Sequence, residues 1–188
     1  TMDWPGQPVN TIDRQFAPAL AEVLDIIEAE PDQIAGVILA SAKPTFFAGG
    51  DLKWFVTLGP GDAATIFSEV ERIKALMRRL ERLGRPVVAL IGGAALGGGW
   101  ELALACHQRV VLNDPRIQLG LPEVTLGLLP GGGGITRMVR LLGLQPAMPY
   151  LLEGRLLRPA QAAELGLAVL AADREQEWTL SLAKESRR

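Results

Sequence analysis

The sequence predicts an α/β fold, and three observations carry that expectation. Short apolar, β-branched runs at residues 35–40, 86–91 and 109–112 have the composition of strands buried on both faces. Amphipathic stretches with helical spacing, at 12–27 and 62–83, precede the first two of them. Small-residue bends, Ala48-Gly49-Gly50 and Gly97-Gly98-Gly99, lie between strand-like and helix-like segments. Buried strands alternating with one-faced helices imply layers of helix packed on sheet.

Taken in order, residues 3–10 have the Pro and Gly content of a loop, and Asn10 or Thr11 is expected to cap the helix that follows. Its apolar face is Ile12, Phe16, Leu20, Val23, Leu24 and Ile27, and Glu30-Pro31-Asp32 ends it. After the strand over 35–40, Pro44 stops regular structure and the first bend, open to a ligand, leads to Asp51; taken alone, the stretch reads first as an ordinary strand-to-helix loop with Asp51 as a cap. Gly59-Pro60-Gly61 is a break. The helix over 62–83 presents Ile66, Val70, Ile73, Met77 and Leu80 on one side, with Arg and Glu interleaved on a solvated face.

The strand over 86–91 runs into Gly92-Gly93, and the triple glycine then opens a helix with Glu101 in its first turn. A strand over 109–112, a turn at Asn113-Asp114-Pro115 and a short strand over 117–121 lead to Pro122 and Glu123. Pro130 and Gly131 to Gly134 precede a helix over 135–142 that Gly143 stops. Short helices are expected over 149–153 and 159–165, the second begun by proline and stopped by Gly166. Residues 174–188 are charged and helix-prone without a strong apolar stripe, and read as an incomplete end.

The chemistry gathers between Leu90 and Glu123. Glycine at a bend lets a ligand approach the main chain, and a helix start leaves amide N–H groups without intrahelical partners, an arrangement that suits negative charge. Helical side chains lean toward the N-terminus, so Glu101, three residues past Gly98, is able to point back over the bend. Glu123 is a second acid in an apolar, glycine-rich setting. Two carboxylates near an anion-stabilising bend suggest acid/base chemistry. The same residues, taken alone, fit an acid that merely favours the helix dipole and a surface acid after a proline turn.

Composition narrows the field. A chain of 188 residues that is 48% apolar supports one domain, 1–188, with a substantial core. Net charge is −2 with scattered Lys and Arg, so no nucleic-acid groove or membrane-binding face is expected. Cys106 and His107 are single, which excludes an internal disulfide, a zinc cluster and a Ser/His or Cys/His pair. No apolar run approaches the roughly 20 residues that span a bilayer. No glycine run has the G-x-G-x-x-G spacing or ends in Gly-Lys-Ser or Gly-Lys-Thr. Dependence on a metal or a nicotinamide is therefore not expected.

Three segments, FFAGGDLK (46–53), GGAALGGGWELALAC (92–106) and LGLPEVTLGLLPGGGG (119–134), together resemble the crotonase, or enoyl-CoA hydratase/isomerase, superfamily. The last is closer to the hydratase domains of multifunctional fatty-acid β-oxidation enzymes. The resemblance implies a spiral of repeated strand-strand-helix units, here with its C-terminal helical part incomplete. It implies coenzyme A thioesters as substrates with no further cofactor, and trimer-type assembly or membership of a multifunctional β-oxidation enzyme as the partnership. It implies that backbone N–H groups of Gly50 and Gly98 hold the thioester oxygen and that Glu101 and Glu123 are the catalytic acids. Ala48 in the first bend joins the substrate-binding set, and Lys43 and Lys53, flanking that bend, are candidates for the coenzyme A phosphates.

The implied reaction is hydration of a trans-2-enoyl-CoA to a 3-hydroxyacyl-CoA. A double-bond isomerase and a non-catalytic acyl-CoA-binding or scaffolding module remain the alternatives. Trp100 departs from the family pattern by its bulk and either narrows the acyl pocket or faces the core. The expected compartment is the bacterial cytoplasm; a mitochondrial one stays open because the chain starts at Thr1 rather than Met.

Overall fold

A computed structural model describes residues 1–51, 56–174 and 176. Its elements in chain order are α1 (Phe16–Ala29), β1 (Val37–Leu39), a 3-10 turn (Pro60–Asp62) running into α2 (Ala63–Glu81), β2 (Val87–Ile91), β3 (Ala95–Leu96) and α3 (Gly98–Ala105). There follow β4 (Gln108–Leu112), β5 (Leu119–Gly120), a 3-10 turn (Glu123–Leu126), α4 (Gly134–Leu142), α5 (Leu144–Leu152), α6 (Pro159–Glu164) and β6 (Val169–Ala171).

Strands β1, β2, β4 and β6 form one parallel sheet in that order, with Val37 opposite Val87, Val88 opposite Gln108 and Val110 opposite Val169. A second parallel pairing sets β3 against β5, Ala95 opposite Leu119, and single bridges extend this layer through Ile12–Gly50, Phe47–Ala95 and Leu119–Leu157. Each pass of the chain thus lays one strand in the large sheet and one short strand in the second layer. The second pass continues directly into α3, and the result is the predicted spiral of strand-strand-helix units. Successive passes stack so closely that a methyl group on Gly93 would lie 1.9 Å from the Pro44 carbonyl oxygen, and one on Gly99 2.4 Å from that of Phe47. Glycine at these two places follows from main chain lying on main chain.

The large sheet explains the apolar runs. Val87, Ala89 and Ile91 of β2 and Val111 of β4 face the main core, while Val88 and Val110 face a smaller cluster with Ala171 on the other side. β1 departs from expectation: as an edge strand its three residues are only half-buried rather than covered on both faces. Phe46, Phe47 and Trp100 are enclosed in the main core, each worth about 1.5–3 kcal/mol of burial, and the Phe16 and Phe47 rings meet edge to face with centroids 5.4 Å apart. Trp100 therefore faces the core and leaves the acyl question to other residues.

Several element boundaries move for identifiable reasons. α1 starts at Phe16 rather than Ile12, and Asp13 is its cap: Oδ1 accepts from the Gln15 and Phe16 N–H groups at 2.9 and 3.1 Å. Asn10 is instead buried, accepting from the Trp4 N–H and donating to the Met2 carbonyl and Ser41 Oγ, so it ties the first loop to the start of the spiral. The helix expected over 149–153 begins at Leu144 and contains Pro149. The strand expected over 117–121 contracts to Leu119–Gly120, and β3 and β6 are additions. Residues 177–188, most of the charged C-terminal stretch, lie outside the described residues. Among the described residues no helix is long and apolar enough to cross a membrane.

Candidate active site

The site forms where the first and second passes of the spiral turn into their helices. In the first bend, the Phe46 and Phe47 N–H groups donate to the Ala94 carbonyl at 3.0 and 3.1 Å, and the buried rings hold this segment in place. The chain then turns through Gly49 at φ +95°. Ile12 N–H donates to the Gly49 carbonyl at 2.8 Å and Asp51 N–H to the Ile12 carbonyl at 3.1 Å, a parallel-bridge pattern that leaves the Gly50 N–H on the opposite side. In the second bend, Gly97 at φ +53° donates to the Gly120 carbonyl at 2.8 Å, and Gly98 opens α3 with an N–H that has no intrahelical acceptor. The two bends touch: a methyl on Gly49 would sit 3.1 Å from the Leu96 carbonyl oxygen, and one on Gly97 3.7 Å from the Gly49 Cα.

Glu101 lies in the first turn of α3 and is 3% exposed. Each of its oxygens is held by the run Gly131 to Gly134: Gly132 N–H donates to Oε2 at 2.9 Å and Gly134 N–H to Oε1 at 2.7 Å. A methyl on Gly132 would stand 2.8 Å from Oε2, so the glycine run hugs the carboxylate because it has no side chains. Burial pushes the Glu101 carboxyl above its ordinary range, with the Gly134 and Gly132 N–H groups and the Arg137 cation pulling the other way.

Glu123 opens the 3-10 turn after Pro122, half-buried, with Oε1 3.0 Å from where a methyl on Gly97 would lie. Its Oε2 is buried without a hydrogen-bond partner among the described residues. Burial, opposed by its own backbone N–H and reinforced by Glu101's charge, pushes this carboxyl up to about 7. Both bends and both carboxylates border one cleft of about 440 Å³. Its apolar wall pairs Ile66, Val70 and Ile73 of α2 with Leu126, Leu128 and Leu129.

Of the residues singled out in the sequence, Ala48, Gly50, Gly98, Glu101 and Glu123 come together on this cleft. Lys43 does not: its ammonium pairs with Asp3 at 2.6 Å beside a separate shallow depression lined by Gly92 and Gly93. Lys53 lies outside the described residues. Among the described residues, no group of three or more His, Cys, Asp or Glu side chains is placed to share a metal ion. His107 and the buried Arg109 do structural work. His107 Nδ1 accepts from the Val87 N–H at 3.0 Å, and the Arg109 guanidinium donates to the Cys106 carbonyl at 2.9 Å and to that of Leu167.

Three features escaped the sequence reading. Ile12, assigned to a helix face, borders the cleft; the α2 stripe divides, its first half walling the cleft while Leu76, Met77 and Leu80 enter the core; and the amides of Gly132 and Gly134 hold Glu101. A change from β-branched residues to Leu and Met along α2 is the only signal the sequence carries for that division.

Glu123 links the site to stability. A carboxyl whose proton affinity rises on folding contributes stability below its unfolded pKa, and this is lost as pH climbs toward the folded value of about 7. Glu123→Gln is therefore expected to melt close to the parent at pH 5 and higher at pH 8, by about 3–6 °C after allowance for partial exposure. Equal differences at the two pH values in calorimetry would contradict the buried, unpartnered carboxyl.

A spiral with two touching glycine bends and two carboxylates on one cleft defines a crotonase-type protein, and comparison with known proteins agrees. A family profile described as enoyl-CoA hydratase/isomerase matches residues 1–186, and the chain belongs to that family. It is 44% identical over 167 residues to the fatty acid oxidation complex subunit alpha of Shewanella putrefaciens, covering 89% of this chain and 23% of the relative. The chain thus spans about a quarter of the length of the curated relatives it matches. Among solved structures, enoyl-CoA hydratase from Bacillus anthracis superimposes with a TM-score of 0.82 at 32% identity, covering 93% of this chain and 67% of that one. Human mitochondrial delta3-delta2-enoyl-CoA isomerase gives a TM-score of 0.86 at 29% identity, covering 97% and 70%.

Proposed function

We propose that this site hydrates a trans-2-enoyl-CoA to a 3-hydroxyacyl-CoA, as the hydratase part of a fatty-acid β-oxidation enzyme. The observation that carries the reading is the pair of carboxyls in unlike surroundings on a cleft that two glycine bends also border. Addition of water to the β-carbon drives negative charge onto the thioester oxygen. The Gly50 and Gly98 N–H groups meet that enolate, and such fixed donors are worth about 3–4 kcal/mol each in a dry cleft.

The carboxyls divide the proton work. Glu101, whose two oxygens each accept a backbone N–H, takes a proton from the attacking water. Glu123, whose Oε2 has no donor among the described residues, keeps the proton and delivers it to the α-carbon. After addition Glu101 is protonated and Glu123 ionised, and passage of one proton between them resets the site. The reaction changes no oxidation state overall and needs no nicotinamide; the amides take the place of a Lewis acid at the oxygen. The apolar wall of α2 and the leucines after Glu123 hold the acyl chain. The relatives' name supports a place in a larger oxidation enzyme, and association with further copies of the chain is part of the same reading.

Absorbance of the enoyl thioester band tests this with crotonyl-CoA and longer homologues. Hydration bleaches the band. A rise on addition of a 3-enoyl-CoA, with no bleaching of the 2-enoyl substrate, would favour the isomerase reading, which needs only one carboxylate. Binding without any spectral change would favour a scaffolding module.

A further inference from the structure

The run Gly131 to Gly134 has no side chain of its own to anchor it, yet two of its amides must stay aimed at Glu101. The anchor is Arg137, in the first turns of α4. Its Nη1 donates to the Gly132 carbonyl at 2.7 Å, and its Nε donates to Glu81 Oε1, also at 2.7 Å, at the end of α2. Glu81 is steadied in turn by Arg78, whose Nη1 donates to its Oε2 at 3.0 Å. Gly132 is thereby fixed at both ends, its N–H on Glu101 and its carbonyl on Arg137. Gly133, at φ +97°, leaves room for the guanidinium, since a methyl there would lie 2.6 Å from Nη1. The Arg137 side chain is 10% exposed and that of Glu81 21%, so this is no solvated surface pair.

We propose that Arg137, braced by Glu81, is a positioning residue for the hydration: it fixes the glycine loop whose amides orient Glu101. The inference rests on the reading of Glu101 as the base. Arg137 touches no reacting atom. Its contribution passes through the Gly132 peptide groups, and its planar fork matters because one side chain must reach a carbonyl and a carboxylate together. Among the described residues, Arg137 from α4 and Glu123 from the 3-10 turn act on Glu101, Glu69 from α2 shares its cleft, and Glu81 and Arg78 of α2 complete the brace behind Arg137. Arg137 is the cation that acts on Glu101 directly. Its loss removes an attraction for the Glu101 anion as well as the anchor of the two donors.

Steady-state hydration by Arg137→Gln, Arg137→Lys and Glu81→Gln, followed across pH, tests the proposal. Arg137→Gln is expected to lower kcat by up to about a hundredfold, as a misplaced base does, with KM within about twofold, and to move the acidic limb of the profile to higher pH. Arg137→Lys keeps the charge but not the fork and falls between; it carries the test if the Gln variant does not fold. The double variant Arg137→Gln with Glu81→Gln is expected to be no worse than Arg137→Gln alone, because the two act as one unit. A kcat within twofold of the parent, or an acidic limb that stays in place, overturns the proposal. If the parent itself fails to hydrate, the hydratase reading has failed instead. The positioning then stands or falls on the carbon-13 NMR titration of the Glu101 carboxyl, expected at higher pH in Arg137→Gln and unchanged if Arg137 plays no part.

Discussion

Gly98→Pro is expected to lower kcat by roughly a hundred- to a thousandfold, the scale of one lost oxyanion donor, in a chain that still folds. Proline deletes the N–H outright, and Gly98 is the first residue of α3, where proline is the residue helices tolerate best. The obstacle is local: an added Cβ would sit 2.5 Å from Ile12 Cδ1, the far end of a flexible side chain. Gly98→Ala supplies the control, because it meets the same Ile12 methyl but keeps the donor. The expected pattern is a large loss for Pro, a small one for Ala, and matching circular dichroism for both. Equal losses in the two variants would mean that Ile12 displacement, rather than the missing N–H, governs the rate, and the cradle would have to be abandoned.

Glu101→Gln and Glu123→Gln are each expected to lower kcat by at least about a hundredfold with little change in ligand affinity, the scale of a lost acid/base group. The two differ in stability. Glu101 accepts N–H bonds on both oxygens, so an amide there must turn its NH₂ toward either Gly132 or Gly134, donor against donor, and Glu101→Gln is expected to melt lower than the parent. Glu123→Gln meets no such conflict at Oε2. Hydration rates and melting curves on both proteins check this together. Near-normal turnover in either variant defeats the two-carboxylate mechanism, and loss in Glu123→Gln alone would point to the isomerase alternative.

The parts of the site that were legible in the sequence share one property: they break a local rule. Glycine runs between apolar segments and acids in apolar surroundings draw attention to the two bends, Glu101 and Glu123, and the family resemblance then singles out Gly50 and Gly98. What stayed hidden obeys local rules while serving distant ends. β3 is two residues long and β6 three, too short to express a period, and they exist because neighbouring passes of the spiral supply their partners. Asn10 has the sequence context of a helix cap, but its hydrogen bonds go to Met2 and Ser41. Glu81 and Arg137 lie 56 residues apart and look like members of solvated charge stripes until α2 and α4 meet. Lys43 was assigned by its nearness to the first bend, and the pairing with Asp3 draws it elsewhere.

The two amide-bearing bends belong to consecutive passes of one spiral, and their spacing is set where backbone rests on backbone, at Gly93 against Pro44 and Gly99 against Phe47. The distance between the two donors is therefore a pitch, a property of how the coil is wound rather than of any side chain that faces the ligand. Such a device is insensitive to drift: Ile66, Val70, Ile73 and the leucines opposite are free to be exchanged, lengthened or trimmed, and the acyl preference with them, while the winding keeps both donors in register. The converse holds as well. A single methyl group placed between the passes, far from any acyl chain, would unwind the register of the whole cradle at once.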